Sequence, residues 1–318
     1  MIRPPSPAAH LWDNDGLLLR RDAVVSGIDD NALARLVRGG VLVRIRHGAY
    51  CSRDVWREAD ARERHRLLCR AVMRLYADHV ALSHASSCIV QGGPAWGLDL
   101  ANVHLTHLAG GGRRQSRVVH HAGSCLVGDL RRQDGHWLTV PARAVFETAC
   151  TDGVEAALVQ ANHFLNAGLT TPDEIAAAYE AQTRWPGSLL HHPVALLADG
   201  RIESVGETRA HYAFWQQGLP RPTPQYEIFR PNGTLAARVD FAWPEHRVVV
   251  EFDGAEKYHR YRRPGESIEQ MVIREKNRED LVRELTGWTV IRITWSDLSR
   301  PIELARRIRR AFALALTA

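Results

Sequence analysis

Hydrophobic and polar positions divide the chain into three regions. In the first, Arg20 to Ser26 reads as a brief helix closed by Gly27. Asp29 and Asp30 then offer N-cap groups for Ala32 to Arg38, where Leu33, Leu36 and Val37 form an apolar stripe at helical spacing. Gly39-Gly40 stops that helix, and Val41, Val43 and Ile45 alternate with Leu42, Arg44 and Arg46 before His47-Gly48 turns the chain into Ala49-Tyr50. Helix, tight turn, helix and basic hairpin is the order of a winged helix-turn-helix. In that arrangement Arg35 and Arg38 on the second helix, and Arg44 and Arg46 on the wing, face phosphates and grooves. The same pattern also suits a small helix–hairpin module with solvated arginines.

The middle region is mixed. Asp60 to Tyr76 predicts a long helix, Val103 to Thr106 and Arg117 to His121 short strands, and Gly110-Gly111-Gly112 a loop. Glu147 to Asn166 and Pro172 to Gln182 read as Ala-rich helices. His120-His121 and His191-His192 are adjacent pairs, and neighbours on a strand point to opposite faces, so such pairs are poorly placed to share one metal. No catalytic constellation is legible here, and the region reads as a structural or interaction domain. The stretch Trp185-Pro186-Gly187-Ser188 to His192-Pro193 reads as a linker. Beyond it, Ser204 to Gln217 is a helix, and Gln225 to Phe229, Ala237 to Trp243 and Arg247 to Phe252 are strands. Gly265 to Leu285 is a long helix, Trp288 to Trp295 a fourth strand, and a closing helix runs from about Pro301. The expected fold class is thus a multidomain α/β (α+β) chain. Residues 1–58 would be a winged helix-turn-helix, 59–190 a mixed α/β domain, and 195–318 a mixed sheet flanked by helices.

Candidate chemistry concentrates in the last region. Val248-Val249-Val250 marks a buried strand, yet Glu251 and Asp253 follow on one face of it. Buried carboxylates need compensation, commonly by a cation. The preceding strand carries Asp240, and the short turn Pro244-Glu245-His246 makes the two strands an antiparallel hairpin that sets Asp240 beside Glu251 or Asp253. Converging carboxylates without thiolates suit Mg²⁺ or Mn²⁺. The alternative is that the acids pair with Arg238, Arg247 or Arg292. Glu207 is a fourth acid, open between a metal site and a capping box with Ser204. The run Glu256 to Arg263 interleaves Lys257, Arg260, Arg262 and Arg263 with tyrosines, a pattern suited to phosphate contact and base stacking. Within it His259 is a candidate for proton transfer.

Composition sharpens this only slightly. A chain of 318 residues, 45% hydrophobic and 24% charged, excludes a disordered tail, a collagen-like repeat and a disulfide-dense scaffold. Cys51, Cys69, Cys88, Cys125 and Cys150 are widely spaced, which argues for free thiols rather than a zinc ribbon. Of the 41 basic residues only Lys257 and Lys276 are lysines, leaving 39 arginines, so the net charge of +5 carries a coding bias more than a partner preference. Lysine can shift its pKa and move protons where arginine cannot, which makes Lys276 a candidate alongside the acids. An ion pair with Asp280 is its other role.

An acid on a first helix, Asp240, and Glu251-x-Asp253 at the end of the next strand resemble the PD-(D/E)xK nuclease core. With Arg238 to Pro244, Val250 to Gly254, Glu275 to Leu281 and Gly287-Trp288, residues 204–316 resemble the narrower Vsr-like group called domain of unknown function 559. Leu33 to Tyr50, with Ser83-His84-Ala85-Ser86, resembles AbiEi-type antitoxin and regulator proteins of type IV toxin–antitoxin systems. The nuclease family's lysine, two residues after the second acid, is Asp253 here. The resemblance implies a metal-dependent DNA endonuclease in which Asp240, Glu251 and Asp253 hold Mg²⁺ or Mn²⁺, while Glu207, His259 and Lys276 assist. The alternative it implies is a non-enzymatic DNA-binding regulator or antitoxin whose nuclease-like domain is degenerate. Double-stranded DNA is the expected partner, with a second copy of the chain and a toxin or repair protein as further candidates. No apolar stretch approaches the roughly 20 residues of a membrane span. With Met1 to Pro5 lacking a signal-peptide core, the expected location is the cytoplasm, at the nucleoid.

Overall fold

Caps and apolar stripes place the N-terminal helices where the pattern predicts them. In the computed structural model, which describes residues 13, 15–76, 79–108, 114–115, 117–183, 185, 187–254 and 268–315, β1 (Leu17–Leu19) leads into α1 (Arg20–Val25) and α2 (Asp30–Arg38). Asp29 Oδ1 accepts the Ala32 N–H at 2.7 Å, capping α2, and Arg20 makes two 2.6 Å bonds to Asp30 that tie the starts of the two helices together. The hairpin β2 (Leu42–Arg46) and β3 (Ala49–Ser52) completes a three-stranded antiparallel sheet in the order β1-β3-β2.

Among the described residues the strands form three sheets, and the chain divides into two units, residues 1–160 with 173–195, and residues 161–172 with 196–318. No helix among those residues is long and apolar enough to cross a membrane.

In the first unit the small sheet is buried on both faces. Leu18, Ala23, Leu33, Leu42 and Tyr50 pack under α1 and α2. Leu17, Leu19, Ile45 and Cys51 pack on the other side with Leu67, Leu68 and Val72 of α4 (Ala61–Met73). The expected alternation in β2 is corrected accordingly: Leu42 is fully buried rather than on the polar face, and Val43 and Ile45 line the opposite core. A register shift between Arg44 and Arg46 accompanies the change. Between these elements lies α3 (Arg53–Glu58).

The same core continues into a six-stranded mixed sheet. Its strands are β4 (Val80–Leu82), β5 (Val103–His107), β6 (Arg114–Gln115), β7 (Val118–Ala122), β8 (Leu130–Gln133) and β9 (His136–Thr139), in the order β6-β7-β5-β4-β9-β8. The helix α5 (His84–Val90) follows β4. The single helix expected over Glu147 to Asn166 is two, α6 (Pro141–Asp152) and α7 (Val154–Asn166), because Gly153 between them adopts φ +89°, which no helix tolerates. The helix α8 is Pro172–Ala181. The expected linker is also corrected: Ser188–His191 is a 3-10 turn and His192–Leu197 a helix, α9, and the first unit runs to residue 195. Gly110 to Gly112 lie outside the described residues.

The second unit follows the expected α-β-β-β-α-β-α order with one short helix added. It contains α10 (Val205–Gln216), β10 (Thr223–Phe229), β11 (Leu235–Trp243), β12 (Val248–Phe252), α11 (Ile268–Thr286), β13 (Thr289–Ile293), α12 (Trp295–Leu298) and α13 (Pro301–Ala315). The fourth strand stops at Ile293, short of the expected Trp295. There Thr294 N–H and Oγ1–H both donate to Asp297 Oδ2, at 2.8 and 2.9 Å, starting α12. The sheet order is β10-β11-β12-β13, antiparallel except for the parallel pair β12–β13. Phe241, Trp243, Val248, Val250 and Phe252 pack with Phe214 of α10 and Ile308 of α13, whereas Val239, Ala242 and Val249 pack with Val282 of α11. The result is a sheet covered by helices on both faces, which is why all five residues of β12 are buried.

The first turn of α10 lies directly on the end of β12. A Cβ added at Gly206 would stand 2.0 Å from the Phe252 ring. Gly206→Ala should therefore overpack this corner and lower the unfolding free energy by about 1–3 kcal/mol. Urea denaturation measures it, and an unchanged midpoint would show that the two elements are not in contact.

Candidate functional site

The N-terminal helix pair presents a small cationic face. Arg35 and Arg38, three residues apart on α2, are exposed on the side opposite buried Leu33. Arg44 is exposed on the wing, where its Nη2 meets His47 Nδ1 at 2.8 Å. Arg46 differs from the expectation that it joins this face. It is half-buried, its Nε and Nη1 lack hydrogen-bond partners, and burial lowers the pKa of its guanidinium. Arg117 Nη1 donates to Ile45 O at 2.9 Å, fastening the wing strand from beneath.

The acids of the second unit gather at one corner of its sheet. Glu207 sits in the first turn of α10 and is 3% exposed. Its N–H donates to Ser204 Oγ at 3.1 Å, the N-cap half of a capping box, and its Oε1 accepts the Ser204 hydroxyl at 2.7 Å. Its Oε2 also accepts from Glu203 N at 3.0 Å and from Gln225 Nε2 at 2.9 Å. Gln225, at φ +50°, interrupts β10: the ladder registers Pro224 against Phe241 and Tyr226 against Val239, which sets Gln225 across from Asp240. At Asp240 the strand β11 slips face, since Val239 and Ala242 share one core while Phe241 and Trp243 share the other. Asp240 Oδ2 accepts the Phe252 N–H at 2.7 Å.

Glu251, one residue earlier on β12, is 6% exposed, and Arg278 of α11 donates to its Oε1 at 2.9 Å. The same guanidinium reaches Arg238 O at 3.0 Å. Of the pairings weighed for these acids, Arg238 bonds Glu203 at 2.8 Å and Arg292 bonds Glu279 at 2.8 Å. Asp253 is partly exposed, and its N–H donates to Ile293 O at 2.7 Å. Among the described residues the acids form no trio with ligand oxygens within 4.8 Å of one another. As placed, then, they do not make a ready carboxylate cage for Mg²⁺: internal donors occupy Glu207, Asp240 and Glu251. Lys276 falls within the α11 backbone, its side chain outside the described residues, and Lys257, His259, Arg260, Arg262 and Arg263 lie outside them as well.

The six-stranded sheet holds a cluster that sequence reading missed. His120 and His121 do point to opposite sides of β7, and each finds other histidines. His120 Nδ1 meets His107 Nε2 at 2.7 Å and its Nε2 meets the Tyr76 hydroxyl at 3.2 Å. His121 joins His84 and His104. Ser83-His84 was in view only as part of a family motif, and His104 carried no signal of its own. What unites the three is the parallel pairing of β5 with β7, which alternation alone does not specify.

Comparison with known proteins adds two findings. Residues 10–53 match the family model described as "Transcriptional regulator, AbiEi antitoxin". Over 277 residues, 86% of this chain and 93% of each relative, the sequence is 31% identical to the uncharacterized proteins MT2308 and Rv2248 of Mycobacterium tuberculosis, strains CDC 1551 / Oshkosh and ATCC 25618 / H37Rv. The chain belongs to the family of these mycobacterial proteins. Family membership thus spans both units, whereas the regulator match is confined to the helix pair and wing.

One turn beyond Glu207 in this family member, His211 is 2% exposed and stacks on Phe241 with its Nδ1 unpartnered. Burial, then Arg221, pushes its pKa down to about 4. The folded state therefore keeps the ring neutral where the unfolded chain, near its ordinary value of about 6.5, takes up a proton. This group costs no stability above pH 6.5 and increasingly destabilises as pH falls towards 4. Unfolding free energies across that window should fall less steeply in His211→Phe, by one proton's linkage, than in the wild type. Parallel slopes would contradict the neutral buried ring.

Proposed function

We propose that this protein is a DNA-binding regulator of the antitoxin kind, which docks α2 and the β2–β3 wing on duplex DNA. The single observation that carries this is the match of residues 10–53 to the AbiEi antitoxin regulator model. The geometry supports it: Arg20 and Asp30 neutralise each other, leaving Arg35, Arg38 and Arg44 as exposed cations on one helix and its wing. The exposed face of α2 that carries Arg35 and Arg38 in its last turn would lie against the major groove and the wing arginine would hold a phosphate. A second copy of the chain would read a two-fold site, and a toxin protein would be the cognate partner.

Selection of random-sequence duplexes by the full chain should enrich a defined motif, with affinity unchanged by chelator. The Arg35→Ala, Arg38→Ala double variant should bind that motif at least tenfold more weakly and reduce the salt slope by roughly 2. Absence of an enriched motif, or equal binding by the double variant, would remove the reading.

A second reading is Mg²⁺- or Mn²⁺-dependent phosphodiester hydrolysis at the acid corner. It is favoured by one observation: Glu207, Asp240, Glu251 and Asp253 come from three neighbouring elements to one end of a mixed four-stranded sheet. Against it stands the ion pair that Arg278 makes with Glu251. Supercoiled plasmid incubated with either cation should be nicked if this reading holds, and Glu251→Gln should suppress nicking without unfolding the chain. Intact plasmid after prolonged incubation of the wild type would dismiss hydrolysis while leaving DNA binding untouched.

A further inference from the structure

Three histidines from three elements meet in the first unit. His84 opens α5, His104 lies on β5 and His121 on β7, and one ligand nitrogen of each lies within 4.8 Å of the others. His104 Nδ1 and His121 Nε2 stand 2.9 Å apart. The His84 ring stacks 3.6 Å from that of His121, 18° from parallel. His84 and His104 are each 6% exposed, while His121 is only half-buried, so the cluster reaches solvent on the His121 side. We propose that His84, His104 and His121 bind a late first-row divalent cation of the Zn²⁺ class, leaving a fourth coordination position to water.

The donor set chooses the metal. Three imidazoles with no carboxylate or thiolate among them suit Zn²⁺, Cu²⁺, Ni²⁺ or Fe²⁺ and discriminate against Mg²⁺ and Ca²⁺. At Zn–N bonds of about 2.0–2.1 Å, tetrahedral ligands lie roughly 3.3 Å apart, so the His104–His121 pair must open by a few tenths of an ångström, and the His84 ring, stacked nearly parallel on His121, must turn to aim its lone pair at the same cation.

The surroundings anchor the elements that carry these rings. Ser83 Oγ meets His84 Nδ1 at 2.9 Å, and the tautomer with Nδ1–H keeps the Nε2 lone pair for the cation. The His84 backbone is held in a left-handed conformation, φ +52°, with its N–H donating to Glu147 Oε2 at 3.1 Å. Glu147 is fastened by Thr139 Oγ1 and by Arg143 Nε, both at 2.8 Å, and Arg143 is further balanced by Asp129 at 2.7 Å. The His104 N–H donates to Ser86 Oγ at 2.9 Å, which is itself bonded by His65 Nε2 at 2.9 Å. A left-handed non-glycine residue that the neighbouring network holds in place is the kind of strain that functional sites retain.

The test uses the full chain, stripped with chelator and titrated with Zn²⁺ against a chromogenic competitor. One equivalent should bind to the wild type, and Co²⁺ in its place should give the visible bands of a tetrahedral site. His104→Gln and His121→Gln should each weaken binding by about 100-fold or more, and Ser83→Ala by about 10-fold. His107→Gln, in the neighbouring histidine pair, should leave it unchanged. Failure of the wild type to compete for Zn²⁺, or equal affinities in His121→Gln and His107→Gln, would overturn the site. Should the ligand variants unfold by circular dichroism, the Co²⁺ spectrum of the wild type decides: lack of tetrahedral bands overturns it.

Discussion

A carboxylate taken out of water has to be given donors, and that constraint organises both units. Glu147 is 1% exposed, and its two oxygens collect a guanidinium, a hydroxyl and a backbone N–H from α6, β9 and the start of α5. Burial pushes its pKa up against these donors. Removing any one of them leaves an unmet charge in the interior, which costs far more than the bond itself yields in water. Through its bond to the His84 N–H, this one side chain ties the start of α5 to α6 and β9. In the second unit Glu207 and Glu251 impose the same requirement, met by Ser204 and Gln225 on one side and Arg278 on the other.

Local chemistry made much of this readable in the chain itself. Asp29 as a cap, the Leu33 stripe, the buried valines of β12 and the acids at its end all rest on interactions within a few residues. Unread parts depend on contacts between distant segments. Arg278 lies 27 residues beyond Glu251, across a stretch outside the described residues, and no periodicity links a helix arginine to a strand glutamate. Leu42 looked polar-facing because its strand is buried on both sides, where alternation loses its meaning. The histidines show the limit most sharply. Period two correctly separates His120 from His121, but only the parallel pairing of β5 and β7 and the turn into α5 decide which rings each will meet.

The two functional readings divide along the units. The regulator reading needs the helix pair and wing. The helix pair packs on one face of the small sheet, and the other face shares its core with α4 and the larger sheet, so the elements that would face DNA are part of a larger folded body and not a detachable arm. The hydrolytic reading needs the acid corner, and there Arg278 already plays a cation's electrostatic part. A guanidinium that neutralises Glu251 and holds the Arg238 carbonyl also joins α11 to β11 and β12.

Asp240 has one more consequence. The amide of Phe252, at the end of β12, is held by a side-chain oxygen of Asp240 on β11, not by a backbone carbonyl of that strand. Its protection from hydrogen exchange with solvent is therefore local to one carboxylate, while Val249 and Val250 beside it exchange only as the sheet opens. The β11 side of this strand end is thus secured by a single acid, while its β13 side stays in the ladder.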